Sequence, residues 1–457
     1  MIKILGSPLL RQYAVVIIAN LSALCTGFGL GWSSPVLVKL TNGTDTVLQG
    51  PITVDQGSWL VSVSFLSGIP GIFLTGYLLD AVGRKYCLIL SCVPRIPMAL
   101  MYLLARTYWV ILAGRILSGV LDALAYTTVA TYASEMASKE VRGSLGALLQ
   151  INSSIGVLIA LGVGPFVSYW TLNLILLCVV TGSSIPILFL PDSPYFLFSK
   201  GKTEDARKIL LKLRGSDILA HEEIKEYQAV SQDEGKELVA TTELLKNKVF
   251  LKGALIAVVV GFCSQANGYP AVAYYLQTVL EATNTSLRPE ISSLIVGSIQ
   301  LMASFCTTFV TDRFGRKAIL IGTTSGVTLG LVGLGTFFEV TEHHDEVTGF
   351  MNYLPLVSII LIVFCYSSGI ASILWVLVSE VFEGRTRATG TSFAILVATS
   401  AGFLITKSTP FLTGSIGYAM TYWGFGVICI LFCLFTAFVI PETKGRSFAE
   451  IQEILGK

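Results

Sequence analysis

Two charged motifs occur twice in this chain, in the same order. The first reads Asp-x-x-Gly-Arg-Lys at residues 80–85 and again at residues 312–317. The second is a glutamate followed, after six residues, by an arginine, at residues 135–142 and 380–387. Because a guanidinium group binds a carboxylate through two parallel hydrogen bonds, these residues can form reversible ion pairs between helix ends. Taken singly, each basic residue could simply orient an apolar segment. For the repeated set we predict a charged gating latch made of Asp80, Arg84, Glu135, Arg142, Asp312, Arg316, Glu380 and Arg387.

The composition decides which kind of element carries these motifs. The chain of 457 residues is 53% hydrophobic and 13% charged, whereas soluble domains carry about 25% charged residues. Such a chain needs a lipid bilayer. Its net charge of +2 gives no indication of a nucleic-acid or acidic partner. We find no Ser/His/Asp arrangement and no metal-ligand spacing, so we expect no enzyme, no cofactor and no metal site.

Twelve stretches have the length of about 20 mostly apolar residues that a membrane-spanning helix needs. They predict an all-α polytopic membrane protein. Because the charged motifs repeat, we expect two six-helix halves: residues 1–191, a cytosolic linker at 192–249, residues 250–441, and a cytosolic tail at 442–457. The predicted spans are 13–36, 59–79, 87–105, 108–132, 145–168, 171–190, 251–277, 291–311, 318–338, 354–378, 390–412 and 418–440.

The basic residues predict the orientation. With a cytosolic N-terminus, 25 of the 31 Lys and Arg residues fall in inner segments and three in outer loops, as the positive-inside rule demands. The sequons at Asn42 and Asn284 then lie outside, and we predict glycosylation there. In the linker, Thr203 is the predicted N-cap of a short amphipathic helix that ends at Gly215. The alternative is a disordered linker.

Two features inside the spans carry predictions of their own. Gly27 and Gly31 lie four residues apart on span 1, so we expect them to let another helix approach closely. Arg95 and Asp122 lie within spans 3 and 4, where an isolated charge costs about 2.5–3.5 kcal/mol. We predict that they form an ion pair inside the membrane. The alternative is that Arg95 snorkels to the inner face while Asp122 faces a water-filled cavity.

Nearly the whole chain resembles the sugar-porter family of the major facilitator superfamily. The two Gly-Arg-Lys loops are similar to family signatures, and so are Pro191-Asp192-Ser193-Pro194 after span 6 and Pro441-Glu442-Thr443-Lys444-Gly445 after span 12. Residues 31–35 (GWSSP) and 55–59 (DQGSW) resemble the insect facilitated trehalose transporter group. The resemblance implies the major facilitator fold, with a substrate site near the midplane between the two halves.

The resemblance also implies which residues contact the sugar. Gln150 and Trp375 match the family's sugar-contacting glutamine and sugar-stacking tryptophan. Three amides that the family usually has are replaced here, by Ser264, Pro270 and Ala398. Neutral amides and aromatic rings suit sugar hydroxyls and faces, although each amide could instead make an interhelical hydrogen bond. The predicted substrate-binding residues are Gln150, Gln265, Gln300, Trp375, Asn267 and Tyr274.

These observations favour a facilitative (uniport) sugar transporter that works by alternating access in the plasma membrane, with trehalose or a hexose as substrate. Proton-coupled relatives in the family carry an aspartate in span 1, where this chain reads FGLGW at 28–32 without an acid. No phosphate-binding loop indicates ATP use. The alternatives are a transporter of another polyol or glycoside, a proton-coupled symporter using Asp122, and a non-transporting sugar sensor. A small-molecule sugar and the bilayer are the expected partners; the oligomeric state is open, and a monomer is compatible with the sequence.

Overall fold

The computed structural model describes residues 7–43, 48–234, 248–342, 349–382 and 384–444, together with Arg446, Glu450, Ile451 and Ile454. Every regular element in this part of the chain is helical. Twelve helices are long and apolar enough to cross a membrane. The predicted all-α class and the number of spans are therefore confirmed. We call the side that carries the Gly-Arg-Lys loops the inner side, following the predicted orientation.

Spans 1–6 form the first set of helices. Span 3 is broken at Val93-Pro94, because proline cannot donate the backbone hydrogen bond that would continue the first segment. A 3₁₀ turn, Gly164–Phe166, extends span 5. The helices of spans 1–6 are, in order, Pro8–Asn42, Val54–Ala81, Arg84–Cys92 with Arg95–Leu103, Tyr108–Met136, Arg142–Val163 and Tyr169–Leu188.

Spans 7–12 form the second set, and two of them are interrupted near their middle. Span 7 breaks after Ala266, and span 10 contains a π-helical segment, Tyr366–Ile370. A short 3₁₀ turn, Gly349–Asn352, precedes span 10. The helices of spans 7–12 are, in order, Lys248–Ala266 with Tyr269–Ala273 and Leu276–Ala282, Pro289–Arg313, Arg316–Glu342, Leu354–Cys365 with Ala371–Val381, Gly384–Ser415 and Gly417–Phe438.

Small residues bring spans 1 and 5 into direct backbone contact. A Cβ atom added to Gly27 would lie 1.9 Å from the carbonyl oxygen of Ser153, and one added to Gly31 would lie 2.9 Å from the Ala160 Cβ. On the facing helix, a Cβ on Gly156 would lie 2.1 Å from the Leu24 carbonyl oxygen. The predicted close approach at Gly27 and Gly31 is confirmed, and its partner is span 5.

The two sets of spans meet along spans 2 and 11 and along spans 5 and 8. Near the midplane, the hydroxyl groups of Ser154 and Ser304 are 2.6 Å apart. Nearer the outer side, the Trp59 ring lies 6.0 Å from the Phe403 ring. On the same side, the Gln277 N–H of span 7 donates to the Ser34 hydroxyl of span 1 at 2.9 Å. The two sets of spans are therefore joined on the outer side, and we describe the structure as closed towards the outside.

The described part of the linker contains three helices, Pro194–Ser199, Thr203–Arg214 and Asp217–Glu234. The second lies where the sequence predicts a helix that ends at Gly215. The N-cap prediction was wrong by one residue, because Thr203 is already helical and Lys202 is the N-cap residue. No side chain makes a capping hydrogen bond at this end. Gly215 ends the helix as predicted, in a left-handed conformation with φ of +73°. The linker docks on the first set of spans, where the Gln12 amide donates to the Leu213 carbonyl at 2.9 Å. Residues 235–247 lie outside the described part.

Candidate functional site

The break in span 7 shapes the centre of the molecule. Gly268 has a φ of +78°, a conformation that glycine adopts without strain. Asn267 stabilises the break: its side-chain oxygen accepts a hydrogen bond from the Tyr269 N–H at 3.0 Å, and its side-chain nitrogen donates to the Ser264 carbonyl at 3.2 Å. Asn267 was predicted as a substrate contact, but here both of its polar atoms are bonded to the backbone.

A cavity of about 60 Å³ lies between the two sets of spans beside this break. It has room for about two water molecules. Its only amide lining residue in the described structure is Gln300, and the predicted Tyr274 lines it as well. The apolar lining comes from spans 1, 5, 8 and 10 in addition to span 7. In this conformation the cavity is too small for a sugar.

Aromatic rings surround this cavity. Tyr269 stacks on Tyr366 with 3.7 Å between ring centroids and an angle of 7° between the planes. The ring of Tyr274 meets Phe65 of span 2, edge to face, at 5.5 Å. The Tyr269–Tyr366 stack joins the two interrupted helices, because Tyr366 begins the π-helical segment of span 10.

Two of the predicted glutamines are available to a ligand. Gln150 and Gln265 are half-buried, and neither amide has a hydrogen-bond partner among the described residues. Gln150 lies seven residues before Val157, which lines the cavity. Seven residues are about two helical turns, so Gln150 lies on the same face of span 5, about 10 Å closer to the inner side. Trp375 is half-buried against the apolar core, nine residues after Tyr366.

Sequence reasoning missed three tyrosines in or near this cavity, Tyr126, Tyr269 and Tyr366. Tyr126 of span 4 shares a 2.7 Å hydrogen bond with Ser153 of span 5, and Tyr269 and Tyr366 form the stack described above. A signal for them was present, since a phenol inside a span needs a hydrogen-bond partner or a polar cavity. Their mutual positions could not be predicted, because they depend on the breaks in spans 7 and 10.

The predicted ion pair between Arg95 and Asp122 is confirmed. Nη2 of Arg95 lies 2.8 Å from Oδ1 of Asp122, and it also donates to the Thr26 hydroxyl at 2.8 Å. Nε of Arg95 donates to the Ser91 carbonyl at 2.8 Å, at the break in span 3. Arg95 is 1% exposed, so the alternative in which it snorkels to the inner face is wrong.

A second arginine lies two turns before Asp122 on span 4. Arg115 donates to the carbonyl oxygens of Leu60 at 2.9 Å and Gly29 at 3.2 Å, and its guanidinium carbon lies 5.5 Å from the centre of the Trp32 ring. Span 1 therefore presents a carbonyl and an aromatic face to this arginine. The helix of span 1 contains no acidic residue that could bind Arg115.

At the inner ends of the first set of spans, Arg84 binds Glu135. Nε of Arg84 lies 3.0 Å from both carboxylate oxygens, and Nη2 lies 2.8 Å from Oε1. The Ser193 hydroxyl donates a further hydrogen bond to the same carboxylate. Asp192 accepts from the Lys85 N–H at 3.4 Å, near the start of span 3. The side chains of Arg84, Glu135, Asp192 and Ser193, at or next to the inner ends of spans 3, 4 and 6, thus tie these spans together.

The same arrangement occurs in the second set of spans. Nη2 of Arg316 lies 3.0 Å from Oε1 of Glu380, and the Thr443 hydroxyl donates to the other carboxylate oxygen at 2.6 Å. Glu442 accepts from the N–H groups of Arg316 at 2.9 Å and Lys317 at 3.2 Å. Although burial opposes it, these backbone N–H groups hold the pKa of the Glu442 carboxyl below its ordinary value.

Each ion pair therefore lies within its own set of spans: Arg84–Glu135 in the first and Arg316–Glu380 in the second. Serine and threonine in the repeated Pro-Asp-Ser and Pro-Glu-Thr sequences complete them, a role that sequence reasoning missed although the repeat was visible. Of the other predicted latch residues, Asp80 and Arg142 are exposed. The side chains of Asp312 and Arg387 lie outside the described part of the structure. Asn42 and Asn284, the predicted glycosylation sites, are both exposed.

The family described as "Sugar (and other) transporter" matches residues 15–455. The chain is similar to the facilitated trehalose transporter Tret1 of Polypedilum vanderplanki, with 31% identity over 449 residues, 96% of this chain and 87% of that protein. It is 30% identical over 448 residues to the Tret1 protein of Anopheles gambiae, which covers 96% of this chain but only 55% of that longer protein.

Solved structures show the same fold. An inward open structure of the xylose transporter XylE from E. coli has a TM-score of 0.79 to this chain at 22% identity, covering 97% of this chain and 99% of that one. A structure of XylE bound to 6-bromo-6-deoxy-D-glucose has a TM-score of 0.76 at 21% identity, with the same coverage.

Proposed function

The chain belongs to the family of sugar (and other) transporters, and from this premise we propose that it is a facilitative uniporter that carries trehalose or a hexose by alternating access. The likeness to XylE, a major facilitator superfamily protein, confirms the predicted fold, and the chain is a multi-pass membrane protein.

The observation that carries the proposal is the pair of unpartnered amides on the inner side of the central cavity. A half-buried amide without a protein partner can exchange hydrogen bonds with water or with the hydroxyl groups of a ligand. Gln150 of span 5 and Gln265 of span 7 belong to opposite sets of spans. A sugar between them would receive hydrogen bonds from both, with Tyr274 and Gln300 at its outer end and Trp375 as a stacking face.

Two arginines of the first set of spans bear on whether transport is coupled to protons. A proton-coupled carrier needs an acid that gains and loses a proton during transport. Both carboxylate oxygens of Asp122 accept hydrogen bonds, one from Arg95 and one from Ser118. Arg115 binds carbonyl oxygens in place of an acid. These contacts favour uniport over the symport alternative.

The charged helix ends are proposed to control the inner mouth. In the outward-closed structure, Arg84–Glu135 and Arg316–Glu380 are bound within their own sets of spans. We infer that in the inward-closed state the exposed Asp80 and Arg142, with Asp312 and Arg387, exchange partners across the inner mouth. The location in the plasma membrane, cytosolic termini and glycans on Asn42 and Asn284 belong to the same proposal.

Substitution of one amide tests the site. Gln150→Leu should abolish saturable uptake of trehalose or glucose while surface biotinylation shows normal delivery. Asn152→Leu is the matched control, because this amide is on the same span but donates to its own helix at the Leu148 carbonyl. It should keep at least most of the uptake. Normal uptake kinetics in Gln150→Leu would remove this glutamine from the site.

A further inference from the structure

A lysine of span 11 is held by three different groups of span 2. Nζ of Lys407 lies 2.6 Å from Oδ1 of Asp55 and 2.8 Å from the Ser58 hydroxyl, and it lies 4.4 Å from the centre of the Trp59 ring. A carboxylate, a hydroxyl group and an aromatic face together satisfy an ammonium group well. This cluster, Asp55, Ser58, Trp59 and Lys407, is called the outer clamp below.

Local structure places the three acceptor groups on one side of span 2. Thr53 caps this helix: its hydroxyl accepts from the Gln56 N–H, and the Gln56 side chain accepts from the Thr53 N–H. Because the helix therefore begins at a fixed residue, Asp55, Ser58 and Trp59 follow at spacings of three and four and share one face. Lys407 bonds to this face near the outer end of span 11.

The outer clamp joins the two sets of spans. The Lys407 side chain is only 24% exposed, whereas that of Asp55 is 75% exposed, so the lysine is covered and the carboxylate closes the cluster from the water side. Further in, Trp59 lies against Phe403, and Gly402 leaves room for the Phe65 ring. Alternating access needs spans 2 and 11 to separate at this end.

We propose that Lys407 is the outer gate residue, and that its binding to Asp55 and Trp59 stabilises the outward-closed conformation. This inference rests on the proposed transport function, because only a protein that opens on both sides needs the clamp to break. Each contact is modest, as expected for a gate that must open repeatedly. On the usual strengths of an exposed ion pair and a cation–π contact, losing both should raise the outward-open population roughly three- to thirtyfold.

Cysteine labelling from the outside tests the clamp without any substrate. In a cysteine-free background, Thr399→Cys places a thiol on span 11, where the Thr399 methyl faces Gly68 of span 2. A membrane-impermeant methanethiosulfonate reagent should reach it only when the outer mouth opens. Lys407→Gln, which loses both contacts, should raise its labelling rate by threefold or more. Asp55→Asn, which keeps the contact with the Trp59 ring, should raise it by a smaller factor. Lys407→Arg should stay within twofold of the parent.

Arg106→Gln is the matched control, since it removes an exposed cation from the outer surface that does not join spans 2 and 11. Only surface-delivered protein is counted, and if Lys407→Gln fails to reach the surface, the double variant Asp55→Asn with Trp59→Leu, which also loses both contacts, decides. Less than a threefold increase in the variant that loses both contacts, or an equal increase in Arg106→Gln, would overturn the gate. If labelling responds as expected while no sugar is taken up, the proposed function fails and the clamp stands.

Discussion

Removing one charge of the Arg95–Asp122 pair should destabilise the protein far more than removing both. Arg95→Met keeps most of the side-chain volume and leaves Asp122 with Ser118 as its remaining partner. Asp122→Val leaves the guanidinium group with the Thr26 hydroxyl and the Ser91 carbonyl. Breaking a buried pair from one side typically costs about 3–5 kcal/mol.

The two single variants should not be equal. The Arg95 side chain is 2% exposed and that of Asp122 is 16% exposed, so the orphaned arginine is the harder of the two charges to hydrate. We expect Asp122→Val to cost about 3–5 kcal/mol and Arg95→Met about 1–3 kcal/mol. In the double variant no charge is stranded, and replacing a buried pair by apolar residues is often close to neutral. The loss in the double variant should therefore be well below the sum of the two single losses, which is about 4–8 kcal/mol.

The assay is thermal unfolding of the detergent-solubilised protein, measured as the soluble fraction after heating, together with surface delivery in cells. Each single variant should melt several degrees below the parent, at about 2–4 °C per kcal/mol for chains of 150–250 residues and less for a longer one. The double variant should melt above the worse single variant. If its loss equals the sum of the two single losses, the charges do not interact and the reasoning fails.

Other perturbations have equally definite outcomes. Glu442→Gln should lower the unfolding temperature at pH 7. The difference from the parent should shrink as the pH falls below about 4.5, since a carboxyl with a lowered folded-state pKa stabilises the fold only while it is ionised. An equal difference in unfolding temperature at pH 7 and pH 4 would contradict this. Gly156→Leu should prevent surface delivery because its side chain would enter the backbone of span 1, whereas Gly182→Leu, which has open space around its Cβ position, should be delivered normally. Glu135→Gln and Glu380→Gln should each change the labelling of single cysteines at the inner mouth, and unchanged labelling in both would exclude a gating role. Uptake should equilibrate without a pH gradient, and accumulation that collapses with a protonophore would refute uniport.

Much of the fold follows from the sequence because the bilayer sets strict demands. A span needs about 20 apolar residues, so hydropathy predicts all twelve. An unpaired charge in a span is costly, which is why Arg95 and Asp122 could be matched from the sequence alone. Gly27 and Gly31 likewise predict close packing, though the sequence does not reveal that span 5 is the partner.

The site was harder to predict, because its geometry depends on where helices break. Gly268 gave no periodicity signal, and the π-helical segment in span 10 gave none either. Asn267 therefore reads as a free amide in the sequence, yet it caps the break in the structure. The partners of Arg115 are backbone carbonyls, which side-chain types alone do not reveal. For the same reason the hydrogen bonds of Ser193 and Thr443 to the two glutamates became visible only in the structure.

The most direct test of the central claim is uptake into proteoliposomes that contain the purified protein. Radiolabelled trehalose and glucose are offered separately, with no ion gradient, and with Gln150→Leu protein as the matched inactive sample. The account predicts saturable uptake of at least one of these sugars that stops at the external concentration, and exchange of that sugar when the vesicles are preloaded. No uptake above protein-free liposomes for either sugar, or uptake that requires a proton gradient, would contradict it.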